Sequence, residues 1–179
     1  MNEISLMPEE QYQRLQQRNA EGVKELWDLL DAVKDPEVPV LTIWDLGILR
    51  DIEREGDKVI VTITPTYSGC PAMDMITANI KAALAQNSIF DVEIKLSLSP
   101  AWTTEMISDK GRKRLKDFGI APPVEGISKK EWLEGTATIE CPLCDSENTE
   151  MISQFGSTAC KALYRCNDCQ EPFDYFKCL

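Results

Sequence analysis

Two Cys-x-x-Cys pairs near the C-terminus constrain the fold more than any other feature of this sequence. The first is Cys141-Pro-Leu-Cys144 and the second, after 21 intervening residues, is Cys166-Asn-Asp-Cys169. Each pair lets two thiolates bind one ion from a tight turn, and two such pairs complete the tetrahedral four-cysteine set that zinc prefers. Because four thiolates leave no open coordination position, the predicted site is structural, and we expect a zinc ribbon over residues 137–179.

The metal would replace a hydrophobic core in this segment. About 40 residues bury too little apolar surface to fold alone, and zinc binding contributes on the order of 10 kcal/mol to folding. A rubredoxin-like iron site, an iron-sulfur cluster and a redox dithiol are the alternatives, and an absorption spectrum separates them because zinc is colourless. Asp145 and Gln170 stand where zinc knuckles usually have glycine, and Asp tolerates a left-handed backbone better than Gln does.

The charge and the amino-acid composition of the chain exclude several classes of function. A formal net charge of -11 disfavours nucleic acid as a partner, and the absence of histidine excludes Ser-His-Asp and Cys-His catalysis and His-ligated metals. We see no catalytic constellation and therefore do not expect an enzyme. With no apolar run long enough to span a bilayer and no signal peptide at the start, we expect a cytoplasmic protein away from membranes, whose seven cysteines serve metal or thiol chemistry.

One segment is strongly basic. Its charged residues are Lys110, Arg112, Lys113, Arg114 and Lys116. They are the solvated face of a helix or, alternatively, a docking patch for an acidic partner protein.

Hydrophobic periodicity divides the chain into four parts: a polar N-terminal arm over 1–20, an α+β domain over 21–122, a linker over 123–136 and the zinc ribbon. The domain is expected to hold a small three-stranded sheet with packed helices, in the order helix-strand-strand-helix-strand-helix. The predicted elements are helix 21–34, strands 48–54 and 58–64, helix 72–86, strand 91–98 and helix 104–117.

Cys70 differs from the other cysteines because it lies at the start of a predicted helix, in Tyr67-Ser68-Gly69-Cys70-Pro71, with Pro71 at the first helical position. The helix dipole there favours negative charge, so we expect the thiol pKa to fall below the usual value of about 8.5. The local sequence leaves open whether the thiol is reactive or metal-binding, or an inert buried cysteine.

The ribbon sequence leaves two further points open. A hairpin that pairs Tyr164 and its neighbours with Phe173 to Lys177 would bring Cys160 close to Cys178. The two would then be packed small side chains, a transient disulfide or a second metal site. The aromatic residues of the ribbon are either its own small core or anchors for a partner protein. They are Phe155, Tyr164, Phe173, Tyr175 and Phe176.

Four stretches resemble known families. DPEVPVLTIWDLGIL, TPTYSGCPAMDMI and SPAWTTEMISDKGRKRLKDFGIAPP are similar to the domain shared by bacterial SufT-like iron-sulfur assembly factors and the eukaryotic cytosolic iron-sulfur targeting subunit. FGSTACKALYRCNDCQEPFDYFKC resembles the C-terminal extension of the PaaD family, the D subunits of phenylacetyl-CoA epoxidases. The resemblance runs from about Glu25 to the C-terminus.

This resemblance implies that Cys70 is the reactive thiol and a transient ligand of iron or of an iron-sulfur cluster. The matching acidic positions, implied to support that site, are Asp35, Glu37 and Asp45. The matching positions of a second loop are Trp102, Thr103, Thr104 and Met106.

The resemblance also implies an accessory protein that aids cluster assembly or insertion into the reductase component of phenylacetyl-CoA epoxidase in aerobic phenylacetate catabolism. Its partners would be that reductase and the other subunits. The sequence agrees, since di-iron oxygenation needs histidines and nucleotide cofactors need a GxGxxG loop, and this chain has neither. The alternatives are a purely structural subunit of the oxygenase and a thiol-disulfide enzyme. The sequence leaves homodimer formation open.

Overall fold

The computed structural model describes residues 9–124, 126–127, 129–135 and 137–177. The chain separates into two compact units, Met1–Ser108 and Asp109–Leu179, which we describe separately.

The first unit is an α+β domain, as predicted. Its three-stranded sheet has the order β1-β2-β3, in which β1 and β2 form an antiparallel hairpin and β3 pairs with β2 in parallel. The parallel pairing requires a crossover, which α3 supplies. The elements are α1 Glu9–Arg18, α2 Lys24–Leu30, β1 Leu49–Glu55, β2 Lys58–Ile63, α3 Ala72–Ala85, β3 Val92–Leu96 and a 3₁₀ helix Thr104–Met106.

The core of this unit lies between helices and sheet. Alternate residues of β2 are fully buried, and α3 buries apolar side chains at helical spacing, as the periodicity predicted. The buried residues concerned are Val59, Val61 and Ile63 on β2 and Ile76, Ile80 and Leu84 on α3.

Two predicted helices are shorter than expected. Helix α2 ends at Leu30 instead of continuing to 34, because the next residues pair with a later segment: Ile43 N-H donates to the Val33 carbonyl at 2.9 Å. The helix predicted over 104–117 is interrupted at Ile107, whose backbone is extended. Ser108 N-H donates to the Asp45 carbonyl at 2.8 Å. This hydrogen bond between two loops replaces the backbone hydrogen bond that Ser108 would make within a continuous helix.

The polar arm is partly a helix that docks onto this unit. Arg14 of α1 is only 4% exposed. Its guanidinium donates to the carbonyls of Leu49 at 3.2 Å, Met106 at 3.1 Å and Trp44 at 2.8 Å, and lies 4.3 Å from the centre of the Trp44 ring. The sequence did not predict that Arg14 is buried, because the segment is polar throughout. A single buried arginine that donates to backbone carbonyls adds nothing to the hydrophobic periodicity of a helix.

The second unit is built on a four-stranded sheet of order β4-β7-β6-β5. Tyr164 pairs with Phe173, as predicted for the ribbon hairpin. The elements are α4 Asp109–Asp117, β4 Ile120–Ala121, α5 Lys129–Leu133, β5 Thr149–Ser153, β6 Lys161–Cys166 and β7 Pro172–Phe176.

The second unit begins well before residue 137, where the sequence placed the ribbon. Strand β4 pairs with β7, which draws α4 into this unit. Within the segment 123–136, expected as a linker, α5 inserts Trp132 into a core that contains Tyr164, Phe173 and Tyr175. Tyr164, Phe173 and Tyr175 therefore belong to the ribbon's own core, whereas Phe155 is 65% exposed.

Candidate metal centre and thiol site

The four predicted zinc ligands converge in the second unit. Their sulfur atoms all lie within 4.8 Å of one another, with Cys141 Sγ 3.8 Å from Cys169 Sγ and Cys144 Sγ 3.5 Å from Cys166 Sγ. A tetrahedron with zinc-sulfur distances of about 2.3 Å has edges of about 3.8 Å, so the set fits zinc. Because the four thiols fill the tetrahedron, the site can hold an ion but offers no position for a substrate.

Each pair is shaped by a left-handed residue directly after its second cysteine. Asp145 has φ 60° and Gln170 has φ 65°, the conformation that glycine usually supplies. In the first pair, Asp145 N-H donates to the Cys141 carbonyl at 3.0 Å. In the second, Cys169 N-H points at Cys166 Sγ at 3.5 Å, and this bond is the chief reason that the pKa of Cys166 falls to about 6. Cys166 is therefore the thiol of this set that ionises most readily, whereas burial and hydrogen bonds from neighbouring cysteines raise the pKa values of Cys144 and Cys169.

Polar side chains join the two cysteine pairs. Asp168, between the cysteines of the second pair, accepts hydrogen bonds from Ser146 Oγ at 2.5 Å and Asn148 Nδ2 at 2.9 Å. These bonds lower the pKa of Asp168 and keep it ionised. Such bonds hold the ligands in place independently of the ion.

The basic segment is largely occupied within its own unit. Lys116 Nζ lies 2.8 Å from Glu140 Oε1 and 2.7 Å from Asp145 Oδ1, and these carboxylates raise the pKa of Lys116. Arg112 donates to the Pro123 carbonyl at 2.8 Å, and Lys113 pairs with Asp117 on the same helix. Because these basic side chains have partners within their own unit, the interpretation of the basic segment as a solvated helix face is favoured over a docking patch for an acidic protein.

Cys160 is buried beside the Thr158 hydroxyl, with 3.0 Å between Sγ and Oγ1. Lys177 N-H donates to the Cys160 carbonyl at 3.1 Å, so the predicted hairpin extends to these two residues. Cys178 lies outside the described residues, and its pairing with Cys160 stays a prediction.

Cys70 lies two residues before α3 begins at Ala72. Its N-H donates to the Tyr67 carbonyl at 3.2 Å, which closes a turn through Ser68 and Gly69. Gly69 has φ 82° and open space where a β-carbon would stand. The thiol is half-buried while its neighbours in the turn are exposed, so a ligand can approach it from this side.

The pKa of Cys70 shifts in the opposite direction to the one expected from the helix dipole. Burial raises the pKa, the Ala72 N-H lowers it, the carboxylates of Glu37 and Asp35 raise it, and the Tyr67 hydroxyl lowers it, with a net rise. At neutral pH the resting thiol is therefore protonated. The resemblance had pointed to Asp35 and Glu37 as supporting residues, but the prediction from the helix dipole left out both burial and the charge of these carboxylates.

The acidic positions play different parts. Asp35 is buried, and its Oδ1 accepts the N-H groups of Glu37 and Val38, both at 2.8 Å, so it shapes the loop that carries Glu37. Asp45 is also buried, and its Oδ1 accepts from Ser108 Oγ at 3.0 Å. Asp35 and Glu37 act on Cys70, whereas the hydrogen bonds of Asp45 fix a second loop.

This second loop is held to residues 45–47 at three successive points. Besides the Asp45 bonds, Trp102 Nε1 donates to the Leu46 carbonyl at 2.9 Å, and Gly47 packs directly against Met106. Thr103 precedes the 3₁₀ helix, and its carbonyl accepts the Met106 N-H at 3.1 Å. Thr104, half-buried, opens that helix. Thr103 and Thr104 as supporting residues of the thiol site stay a prediction.

Comparison with known proteins identifies the family of this chain. The family model described as "PaaD zinc beta ribbon domain" matches residues 126–177, and the one described as "Iron-sulfur cluster assembly protein" matches residues 24–99. An Escherichia coli (strain K12) protein, whose name reads "Putative 1,2-phenylacetyl-CoA epoxidase" and designates it the D subunit, is 48% identical over 88% of this chain and 93% of its own length. The chain belongs to the PaaD family.

Two further similarities each cover about half of this PaaD family member. The "Fe-S protein maturation auxiliary factor" of Porphyromonas gingivalis is 33% identical over 49% of this chain and 84% of its own length. The crystal structure titled "Domain of Unknown Function DUF59 from Bacillus anthracis" has a TM-score of 0.49 and 28% identity, and the match covers 51% of this chain and 89% of that chain.

Within the described residues, no helix is long and apolar enough to cross a bilayer.

Proposed function

We propose that the chain is an accessory protein of the phenylacetyl-CoA epoxidase system that aids assembly or insertion of the iron-sulfur cluster of its reductase component. Cys70 is the group that transiently binds iron or the nascent cluster. The observation that carries this proposal is the position of Cys70: an approachable thiol in an iron-sulfur assembly domain, with two carboxylates acting on it. The names of the relatives, a maturation auxiliary factor and an epoxidase subunit, support the same role.

The carboxylates near Cys70 are suited to a thiol that binds a metal ion only transiently. Glu37 and Asp35 disfavour a bare thiolate but favour a cation at the same place. A cation that arrives there displaces the thiol proton, because a coordinating thiol is deprotonated outright. Cys70 therefore resists reaction at rest and becomes a ligand only in the presence of its cargo.

The zinc ribbon has a structural role in this proposal. Cys141, Cys144, Cys166 and Cys169 hold zinc, and the ion fixes the sheet of the second unit. Because all four of these thiols bind zinc, the iron or nascent cluster binds to a cysteine outside this set, Cys70.

The test is co-expression of the chain with the reductase, followed by purification of the reductase and measurement of its iron content and cluster absorbance. Cys70→Ser is expected to lower cluster content several-fold while zinc per accessory chain stays unchanged. Cys160→Ser is the matched control, since it makes the same replacement outside both sites and should leave the reductase loaded.

The alternative role, a purely structural subunit, predicts a different result. In that case Cys70→Ser leaves the reductase fully loaded, although deletion of the whole chain impairs the oxygenase. A normal cluster content with Cys70→Ser would therefore overturn the proposal.

A further inference from the structure

The outer edge of β3 combines an open backbone with exposed apolar side chains. Among the described strands, β3 lies at one edge of the three-stranded sheet. Around it, Phe90 is 77% exposed, Leu96 58% and Leu98 61%, and Val92 and Ile94 are half-buried. An open strand edge flanked by apolar side chains is a template for pairing with another strand.

The pairing with β2 shows which backbone groups face outward. Ser97 N-H donates to the Ile63 carbonyl at 2.8 Å, so the odd-numbered residues of this segment direct their N-H and C=O groups towards β2. The even-numbered residues Val92, Ile94 and Leu96 direct theirs to the open edge. Their side chains lie on the same face as the buried residues Val59 and Val61 of β2, since Val92 pairs with Val59 and Ile94 with Val61.

The sequence of this edge is complementary to itself. In an antiparallel pairing of two copies with Ile94 opposite its equivalent, Val92 faces Leu96 and Phe90 faces Leu98 of the other copy. Glu93 then faces Lys95 twice. All the outward-directed residues meet as hydrogen-bonded pairs, each of which exchanges two bonds, and the charged residues meet as the closer, non-hydrogen-bonded pairs.

We infer that β3 is a dimerisation edge, on which a second copy of this chain pairs antiparallel about a twofold axis through Ile94 to form a continuous six-stranded sheet. A twofold axis perpendicular to the sheet places both α3 helices on one face. The apolar residues of the two edges then extend the existing core between these helices. Charge complementarity selects a second copy over an unrelated strand, because a single register pairs Glu93 with Lys95 and also pairs all the exposed apolar residues of this edge with one another. This inference is independent of the role proposed for Cys70.

Charge reversal tests the inference in the full, zinc-loaded chain. Lys95→Glu places glutamates opposite each other at both pairs, and Glu93→Lys does the same with lysines. Each variant alone should weaken self-association by about tenfold or more. An equimolar mixture of the two variants restores both opposite-charge pairs and should form a heterodimer at least as readily as the wild type forms its homodimer.

Sedimentation equilibrium gives the affinities, and native mass spectrometry with one variant labelled with nitrogen-15 identifies the heterodimer. The mixture carries the same total charge as two wild-type chains, so net charge cannot explain recovery. Glu55→Lys is the control, because it makes the same change as Glu93→Lys at an exposed site on β1, at the other side of the sheet, and should not alter the affinity.

In their own sheet Glu93 contacts Lys58 at 2.5 Å and Lys95 lies 3.9 Å from Glu53, so single variants lose an exposed ion pair and the mixture does not regain it. Recovery in the mixture thus reports the contact between copies alone. A monomeric wild type, an unchanged dimer in Lys95→Glu, or a mixture without heterodimer would each overturn the inference.

Discussion

Gly47 and Met106 approach so closely that a β-carbon added to Gly47 would lie 2.5 Å from the β-carbon of Met106. Gly47 also has φ 77°, which disfavours any other residue. We therefore expect Gly47→Ala to lower the free energy of unfolding by about 2 to 4 kcal/mol, from left-handed strain and overpacking together. Urea denaturation measures this.

Gly22 provides the matched control for that substitution. It has φ 85° but nothing within 4 Å of the position that a β-carbon would take, so Gly22→Ala carries the conformational strain without the clash. Its cost should stay near about 1 kcal/mol. Equal losses in the two variants would show that the contact with Met106 does not restrict the site.

Arg14 should contribute far more to stability than Arg18, although both lie on α1 over the Trp44 ring. Arg14→Ala removes three hydrogen bonds to main-chain carbonyls, two of them buried, and should cost about 2 to 4 kcal/mol. Arg18→Ala removes ion pairs to Asp28 and Asp31 and should cost less than about 1 kcal/mol. Thermal unfolding of the two variants checks the difference, and an undocked α1 would make both losses small.

Gln170→Gly should strengthen metal retention. The substitution relieves the left-handed strain at φ 65° and should stabilise the ribbon by about 1 kcal/mol, which raises the chelator concentration needed to remove half the zinc. Gln170→Gly loses an exposed hydrogen bond from its side chain to the Asn167 carbonyl. Asp145→Gly relieves similar strain but loses the ion pair with Lys116, so its gain should be smaller. A greater gain for Asp145→Gly would contradict the structural role of that ion pair.

Alkylation of Cys70 should be slow and should respond to Glu37. Because the pKa of Cys70 is raised, its thiolate fraction at pH 7 is below that of a free cysteine, whose pKa is about 8.5, and the rate should still increase as the pH rises above that value. Glu37→Gln removes a carboxylate that raises this pKa, so the rate profile should shift to lower pH. Peptide mass spectrometry follows Cys70 alone, and a shift to higher pH would refute the assignment.

Much of the architecture was predictable because it follows from local signals. The alternation in β2, the helical spacing in α3 and the four ribbon cysteines each point to one structure without reference to distant residues. The sequence resemblance and the comparisons agree on the family for the same reason, since long motifs such as the one around Cys70 are local.

The features that could not be predicted depend on contacts between distant segments. Arg14 lies in a polar helix that only the carbonyls of later loops explain, and Trp132 lies in a segment whose short helix has no periodic repeat. The pKa of Cys70 was mispredicted for the same reason: the helix start is local, whereas burial and the loop of Glu37 are not.

We propose that the chain carries two kinds of cysteine: four that hold structural zinc and one, Cys70, that binds iron cargo. Anaerobic incubation of the zinc-loaded chain with ferrous iron and sulfide, followed by metal analysis of the desalted protein, separates these two roles. We predict that the wild type gains iron with its zinc unchanged, and that Cys70→Ser keeps its zinc but gains no iron. Iron that replaces zinc, or binds equally to Cys70→Ser, would contradict the account.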